Sequence, residues 1–402
     1  MKKTPVVAVV GTFDSKGEEH FFLRDRIEKS GLRVLTVNVG TKEPVRSAVS
    51  YDLYAIMKKK GTLDANNRDK AIHAMILEGK RLIKQLYNDG EICGIISAGG
   101  GSGTHLCSSI MHELPLGVPK VMVSTVASRD MRHTVGTKDM TMIHSVVDLL
   151  GINGISGILL DKAAAAICGM VQSQWQPEKG KKRIALSFFG FITKSAEAVK
   201  EALETMDYEV IPFHANGTGG MAMEALAQEG YFHGMIDLAT HELADALMDG
   251  YCGGIGQERF EPVPGKSIPR VVIPGGLDCA VLEFTRENIP EGYSDRKIFF
   301  YDFRSAIRLT REESRILAKQ LSEKLNKDVS NIQVLVPMQG WSAADIKGGP
   351  LYDPETNTYL IGILKDNLDS RIPLEEVDMH INDPAFARLA ANAMDQMIQK
   401  EG

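Results

Sequence analysis

Val6-Val7-Ala8-Val9-Val10-Gly11-Thr12-Phe13-Asp14-Ser15-Lys16-Gly17 is the stretch that decides the fold. Its apolar run, valine at every position but one, suits a strand buried on both faces, as in a parallel sheet. The run ends in a glycine-bearing loop. Residues 18–29 then place Phe21, Phe22, Leu23 and Ile27 at helical spacing, with Gly31 as a stop signal. The same grammar recurs at Ile92-Cys93-Gly94-Ile95-Ile96-Ser97, which runs into Gly99-Gly100-Gly101-Ser102-Gly103-Thr104. A loop that ends a parallel strand and opens a helix exposes backbone N–H groups at the positive end of the helix dipole. Glycine lets an anion approach that backbone with no Cβ in the way.

Two such loops in one domain point to a phosphate-bearing ligand. The candidate contacts are Gly11, Thr12, Asp14, Lys16 and Gly17 from the first loop and Gly99, Gly100, Gly101, Ser102, Gly103 and Thr104 from the second. Thr125, after a strand over 120–124, would line the same crevice. Lys16 would meet phosphate as a point charge. Asp14 would hold Mg²⁺ or a ribose hydroxyl, and Asp139 is a second candidate carboxylate for Mg²⁺. The same residue types also suit an ordinary capped turn between strand and helix. The GxxxxGK[ST] spacing is absent. The second loop is similar to the GGDGT phosphate loops of small-molecule kinases, with Ser102 where those carry a carboxylate.

Strands over 33–39 and 120–124 and helical segments within 57–89 continue a βα alternation, which implies a parallel sheet covered on both faces. Residues 172–182 are polar, contain Pro177 and Gly180, and mark a domain boundary. The expected domains are 1–176, binding nucleotide, and 183–402, binding substrate. The second repeats the plan: a strand over 183–188, a helix over 195–206, a strand over 208–213, then Asn216-Gly217-Thr218-Gly219-Gly220. The fold class is therefore α/β, with two Rossmann-like domains, mostly parallel sheets and an interdomain cleft. In the second domain His214 is the best general acid/base candidate. Thr218, Gly219, Gly220, His241 and Asp278 are the substrate-side candidates. A structural histidine is the competing reading for His214 and for His241. His241-Glu242 lacks the second histidine of HExxH, so a zinc protease is not indicated.

Composition narrows the classes further. The chain has 402 residues, 44% hydrophobic and 24% charged, with a net charge of −6. No long basic run occurs, which argues against nucleic acid or an anionic membrane as the main partner. Cys93, Cys107, Cys168, Cys252 and Cys279 form no CxxC pair and read as reduced packing residues. The amino-terminal apolar run reads as a strand rather than a signal peptide. No apolar stretch reaches the about 20 residues of a membrane helix. A cytoplasmic protein is expected.

Several motifs together carry a family resemblance. They include Val10-Gly-Thr-Phe-Asp-Ser-Lys-Gly-Glu-Glu19, Ala98-Gly-Gly-Gly-Ser-Gly-Thr104, Val123-Ser-Thr-Val-Ala-Ser128 and His144-Ser-Val-Val-Asp-Leu-Leu-Gly-Ile-Asn153. Phe213-His-Ala-Asn-Gly-Thr-Gly-Gly-Met-Ala-Met-Glu224, Pro274-Gly-Gly-Leu-Asp278, Gly340-Trp-Ser-Ala-Ala-Asp345, Tyr352-Asp-Pro354 and His380-Ile-Asn-Asp-Pro384 extend the set. The chain resembles the largely uncharacterised Tm-one-like ATP-binding domain family, typified by the N-terminal half of the tomato tobamovirus-resistance protein. The resemblance implies two Rossmann-like domains, ATP with Mg²⁺ bound mainly by the first, and a homo-oligomer, dimer or higher. The leading expectation is an enzyme that uses ATP on an unknown small molecule, by phosphoryl transfer or activation. The alternatives are a non-catalytic ATP-binding regulatory module and an enzyme that acts on a phosphorylated metabolite without ATP.

Overall fold

The computed structural model describes residues 5–45, 47–64, 67–178 and 180–401. They fall into two compact units, Met1–Pro177 and Glu178–Gly402. The strands of the first are β1 (Val6–Gly11), β2 (Arg33–Asn38), β3 (Tyr51–Asp52), β4 (Gly94–Gly99), β5 (Lys120–Ser124) and β6 (Thr141–His144). They form one sheet in the order β3-β2-β1-β4-β5-β6, parallel throughout. Its helices are α1 (Phe13–Lys29), α2 (Leu53–Lys60), α3 (Arg68–Asn88), α4 (Gly101–Met111), α5 (Arg132–Val135) and α6 (Ser156–Gln172). Side chains alternate between the faces of a strand. Val7 and Val9 thus pack with Leu23 and Ile27 of α1 and Leu160 of α6. Ala8 and Val10 meet Met75 and Ile83 of α3 and Leu106 and Ile110 of α4. With both faces covered, the run has no polar alternation.

Both glycine loops are shorter than the sequence suggests. α1 begins at Phe13 rather than Glu18, because the Ser15 and Lys16 N–H groups donate to the Thr12 carbonyl and close a turn. The backbone then kinks at Lys16, with φ −134° and ψ 38°. Phe13 anchors this turn against His20 and Phe21. Similarly, β4 runs to Gly99 and α4 starts at Gly101. A single residue separates strand from helix at each site.

The second unit contains β7 (Arg183–Phe188), β8 (Glu209–His214), β9 (Gly234–Ala239), β10 (Arg270–Gly275), β11 (Cys279–Leu282), β12 (Ile298–Phe300), β13 (Ser305–Arg308), β14 (Ile332–Pro337) and β15 (Leu374–Val377). Its parallel sheet has the order β15-β14-β10-β9-β7-β8. β11, β13 and β12 form a small antiparallel sheet that the sequence reading did not place. The helices are α7 (Thr193–Thr205), α8 (Thr218–Gln228), α9 (Glu242–Leu247), α10 (Arg311–Leu325), α11 (Pro354–Asn367) and α12 (Pro384–Glu401). Ile184 and Leu186 face Val199 of α7 and Phe386 of α12. Ala185 faces Met223 of α8, and Val272 and Val334 face Leu317 of α10 and Leu360 of α11. A Thr310–Glu313 capping box starts α10, and the Asp353 side chain caps α11 ahead of Pro354. Among the described residues, no helix is long and apolar enough to cross a membrane.

Strand order reverses between β1 and β4 in the first unit and between β7 and β9 in the second. Connections leave such a point in opposite directions and open a crevice at the carboxyl ends of the strands, where ligands bind in doubly wound folds.

Candidate functional site

In the first unit that crevice is a cavity of about 530 Å³. Thr12, Asp14, Ser15 and Lys16 line it from the start of α1, and Gly100, Gly101, Ser102 and Gly103 from the start of α4. No side chain caps the amino end of α4, whereas Asn38 Oδ1 accepts the Phe13 N–H at 3.1 Å at the start of α1. The first N–H groups of a helix have no intrahelical partner, so the α4 end offers donors to an anion, and both helices turn positive dipole ends to the cavity. Lys42, Arg68 and Asp148 complete the charged lining and were missed from the sequence. Arg68 sits at the exposed start of α3, a helix whose other face packs in the core. Asp148 lay inside a quoted motif without a role. Arg68 donates to Ser102 Oγ at 3.1 Å, and Lys16 donates to the Leu149 carbonyl.

Asp14 is built for a partner. Its Oδ2 accepts the Lys42 N–H at 2.9 Å, while its buried Oδ1 has no hydrogen bond. An orphaned carboxylate oxygen at a cavity edge fits Mg²⁺ or a ligand hydroxyl.

The glycines divide into two kinds. A Cβ added at Gly101 or Gly103 meets no atom within 4 Å, so these faces are open to a ligand. A Cβ at Gly11 would overlap the buried His20 ring, and one at Gly99 would lie 3.0 Å from the Gly103 backbone. Gly17 faces Phe21. Gly11 and Gly99 are therefore packing glycines rather than ligand contacts, and Gly17 does not line the cavity. Thr104 is also corrected: it is buried, with its hydroxyl 2.7 Å from Ser124 Oγ. Thr125 supports the loop by donating its N–H to the Gly99 carbonyl. Asp139 is not a metal ligand of this cavity. Its carboxylate takes Lys120 Nζ at 2.6 Å and the Gly117 N–H at 2.8 Å. Lys120 opens β5, so Asp139 sits at the amino end of the sheet, opposite the glycine turns.

The second unit corrects more of the expectations. The Asn216–Gly220 turn is not an open cradle. A Cβ at Gly219 would strike the His214 carbonyl, and one at Gly220 the Glu242 carboxylate and Arg259. The Gly219 N–H is already held by Asn216 Oδ1 at 3.0 Å. These glycines let the turn close over a buried ionic network, and Thr218 alone of the three is exposed. In that network Arg259 reaches Glu242 at 2.8 Å, Glu224 at 2.9 Å and Asp237 at 2.6 Å. Arg270 reaches Glu224 at 2.6 Å and Asp237 at 3.2 Å. Burial opposes the Arg259 charge, but Asp237, Glu242 and Glu224 outweigh it and hold the guanidinium protonated.

His214 is exposed at the end of β8, edge-on to Phe188. Burial of part of its ring, with Arg304 nearby, lowers its pKa. His241 is fully buried and stacks on Phe189, with ring centroids 3.9 Å apart. Burial, then the charges of His214 and Arg259, lower it to about 3. On the same helix start, Asp245 is raised to about 7 by burial, against the N–H groups of Val281 and Cys252. A cavity of about 690 Å³ in this unit lies elsewhere, between Gly190, Phe191, Lys194, Ile346, His380 and Asp383. None of the expected substrate residues lines it.

Asp278 is enclosed rather than presented to a ligand. It accepts from Ser342 Oγ at 2.9 Å and lies near Arg308 and Asp345. Burial, reinforced by Asp345, raises its pKa against the pull of Arg308 and Ser342. The native state thus keeps a proton that the unfolded chain gives up above about pH 4. Stability conferred by the protonated form is lost as pH rises toward the raised folded pKa, by up to about 1.4 kcal/mol per unit. Asp278→Asn lacks that slope, so its stability relative to the parent should increase with pH across this window. Urea unfolding at several pH values checks it; a constant difference would mean that Asp278 is already ionised in the fold.

Fold and site together define a protein of two doubly wound α/β domains, the first with a cavity at its switch point. Residues 5–176 match the N-terminal domain, and residues 181–398 the C-terminal domain, of the Uncharacterised protein family (UPF0261). The chain belongs to this family. A UPF0261 protein of Clostridium tetani is 36% identical over 98% of this chain and 99% of its own length. The ToMV resistance protein Tm-1(GCR237) of Solanum lycopersicum is 33% identical over 96% of this chain, which spans 54% of the tomato protein. Among solved structures, MurG of Acinetobacter baumannii aligns over 99% of this chain and 92% of its own at TM-score 0.23 and 7% identity, too low to carry an argument.

Proposed function

We propose that the first unit binds ATP with Mg²⁺ and that the protein uses it to phosphorylate or activate a small molecule held by the second unit. The observation behind this reading is the pair of helix amino ends, α1 and α4, lining one switch-point cavity, with the α4 end uncapped. Gly100–Gly103 backbone donors with Lys16 and Arg68 would hold phosphate oxygens, and Asp14 Oδ1 would face Mg²⁺. Phosphoryl transfer asks a protein mainly for positioning and charge neutralisation, which suits this inventory. His214, exposed beside Arg304, is the acid/base candidate, and the 690 Å³ cavity offers the co-substrate a place.

Calorimetry tests the reading. Gly101→Val should fold normally, since its side chain enters open space, yet bind ATP more than tenfold more weakly, about 1.4 kcal/mol. Lys16→Ala should lose more affinity for ATP than for adenosine, which has no phosphate to meet. Unchanged ATP binding in a folded Gly101→Val would remove the site. Pyrophosphate binding as tightly as ATP would favour an enzyme of phosphorylated metabolites. ATP binding without cleavage, across a screen of metabolites, would favour a regulatory module.

The same unit supports self-association. Leu150, Ile152, Ile155 and Ile158 are all exposed within a few residues of one another, and clustered exposed apolar side chains mark contact surfaces. Leu150→Asp should shift sedimentation toward a smaller species; an unshifted species would place the contact elsewhere.

A further inference from the structure

At the carboxyl end of β9, polar atoms are buried without partners. Thr240 Oγ1 has none, and neither ring nitrogen of the fully buried His241 has one. Native interiors rarely leave an imidazole with both nitrogens empty, since each such group costs free energy. Asp245 and Cys252 close round the same place. One ligand atom from each of His241, Asp245 and Cys252 can be chosen so that all lie within 4.8 Å of one another. The Asp245 carboxylate is oriented by the N–H groups of Cys252 at 2.7 Å and Val281 at 2.8 Å, and its oxygens retain free lone pairs. The His241 ring is oriented by its stack on Phe189.

We propose that His241, Asp245 and Cys252 bind one divalent transition-metal ion of the zinc or cobalt type, with a fourth position open to water or a ligand. Imidazole nitrogen, carboxylate oxygen and thiolate sulfur suit such an ion, whereas Mg²⁺ and Ca²⁺ take oxygen donors. A thiolate and a carboxylate neutralise its charge in a buried site. Three protein ligands with one vacancy is the pattern of catalytic zinc rather than of a closed structural site. The place is the β7–β9 switch point, where a ligand would be bound. His214 is within electrostatic reach of His241, and Arg304 of both His214 and Cys252. The proposal is independent of the nucleotide reading, which concerns the other unit.

Co²⁺ is the probe, added to the reduced, chelator-treated full chain. One equivalent should give intense visible bands of a tetrahedral ion and a sulfur-to-cobalt charge-transfer band, both abolished by one equivalent of Zn²⁺. Cys252→Ser should remove the charge-transfer band. His241→Phe, which keeps the stack on Phe189, should weaken Co²⁺ by more than about 100-fold, beyond the loss of an outer-shell partner. Cys279→Ser alters another buried thiol and should leave the spectrum unchanged. A wild-type chain without the charge-transfer band overturns the site, and so does a band that survives Cys252→Ser. The wild-type spectrum decides the matter even where a variant fails the circular-dichroism check of folding.

Discussion

Arg259→Leu is expected to remove about 3–5 kcal/mol of stability, the usual cost of breaking a buried ion pair. Arg259 is fully buried and joins three carboxylates that come from α8, β9 and α9. Without it Glu242 keeps only the Gly217 N–H, at 2.7 Å, and Glu224 and Asp237 share Arg270 as their one remaining cation, beside the Phe260 N–H on Glu224 and the Ser187 hydroxyl on Asp237. Uncompensated buried carboxylates either ionise at high cost or take up protons, so the deficit should shrink in acid. Arg259→Lys should recover only part of the loss, because an ammonium lacks the planar fork that reaches Glu242 and Asp237 together. Guanidinium chloride midpoints with unchanged slopes would report this. A loss under about 1 kcal/mol would show that the three carboxylates are satisfied by water instead.

Gly11→Ala should also destabilise strongly, by about 3 kcal/mol, at the upper end of overpacking costs. The added methyl would overlap His20, and that ring cannot swing away. Its Nδ1 lies 2.6 Å from the Lys16 carbonyl, its Nε2 accepts the Ala98 N–H at 3.4 Å, and Phe13 packs on it at 4.9 Å. Burial lowers the His20 pKa, which keeps the ring neutral and suits these two opposite roles. Gly101→Val should behave in the opposite way, stable but defective toward ATP. Thermal unfolding of the two variants side by side separates them. Equal stability would mean that His20 yields and that Gly11 also faces the ligand.

The contrast between Gly11 and Gly101 shows where local reading stops. Gly11 ends β1 and Gly101 opens α4, each at a turn from strand to helix, and the sequence reads both as ligand contacts. The difference lies in what approaches each α-carbon: a histidine from the next helix turns at Gly11, and open space at Gly101. The Asn216–Gly220 turn made the same promise as the first two loops. Glu242 and Arg259, brought there from 22 or more residues away, fill the space that a phosphate would need. Asp139 looked like any carboxylate near the crevice until Lys120 held it at the far end of β5.

By itself the sequence determined the local grammar. Valine-rich runs specify strands buried on both faces, and Phe21, Phe22, Leu23 and Ile27 at helical spacing specify the helix after the first of them, because these depend on periodicity over a few residues. It also marked the two turns that meet at one crevice, since the physics of a helix amino end is local. Only the tertiary structure decided which glycines stand open and which are filled. It alone joined Glu224, Asp237, Glu242, Arg259 and Arg270 into one network and set His241, Asp245 and Cys252 around one point. Burial and charge compensation depend on neighbours that the strand order brings together, and that order is a property of the whole sheet.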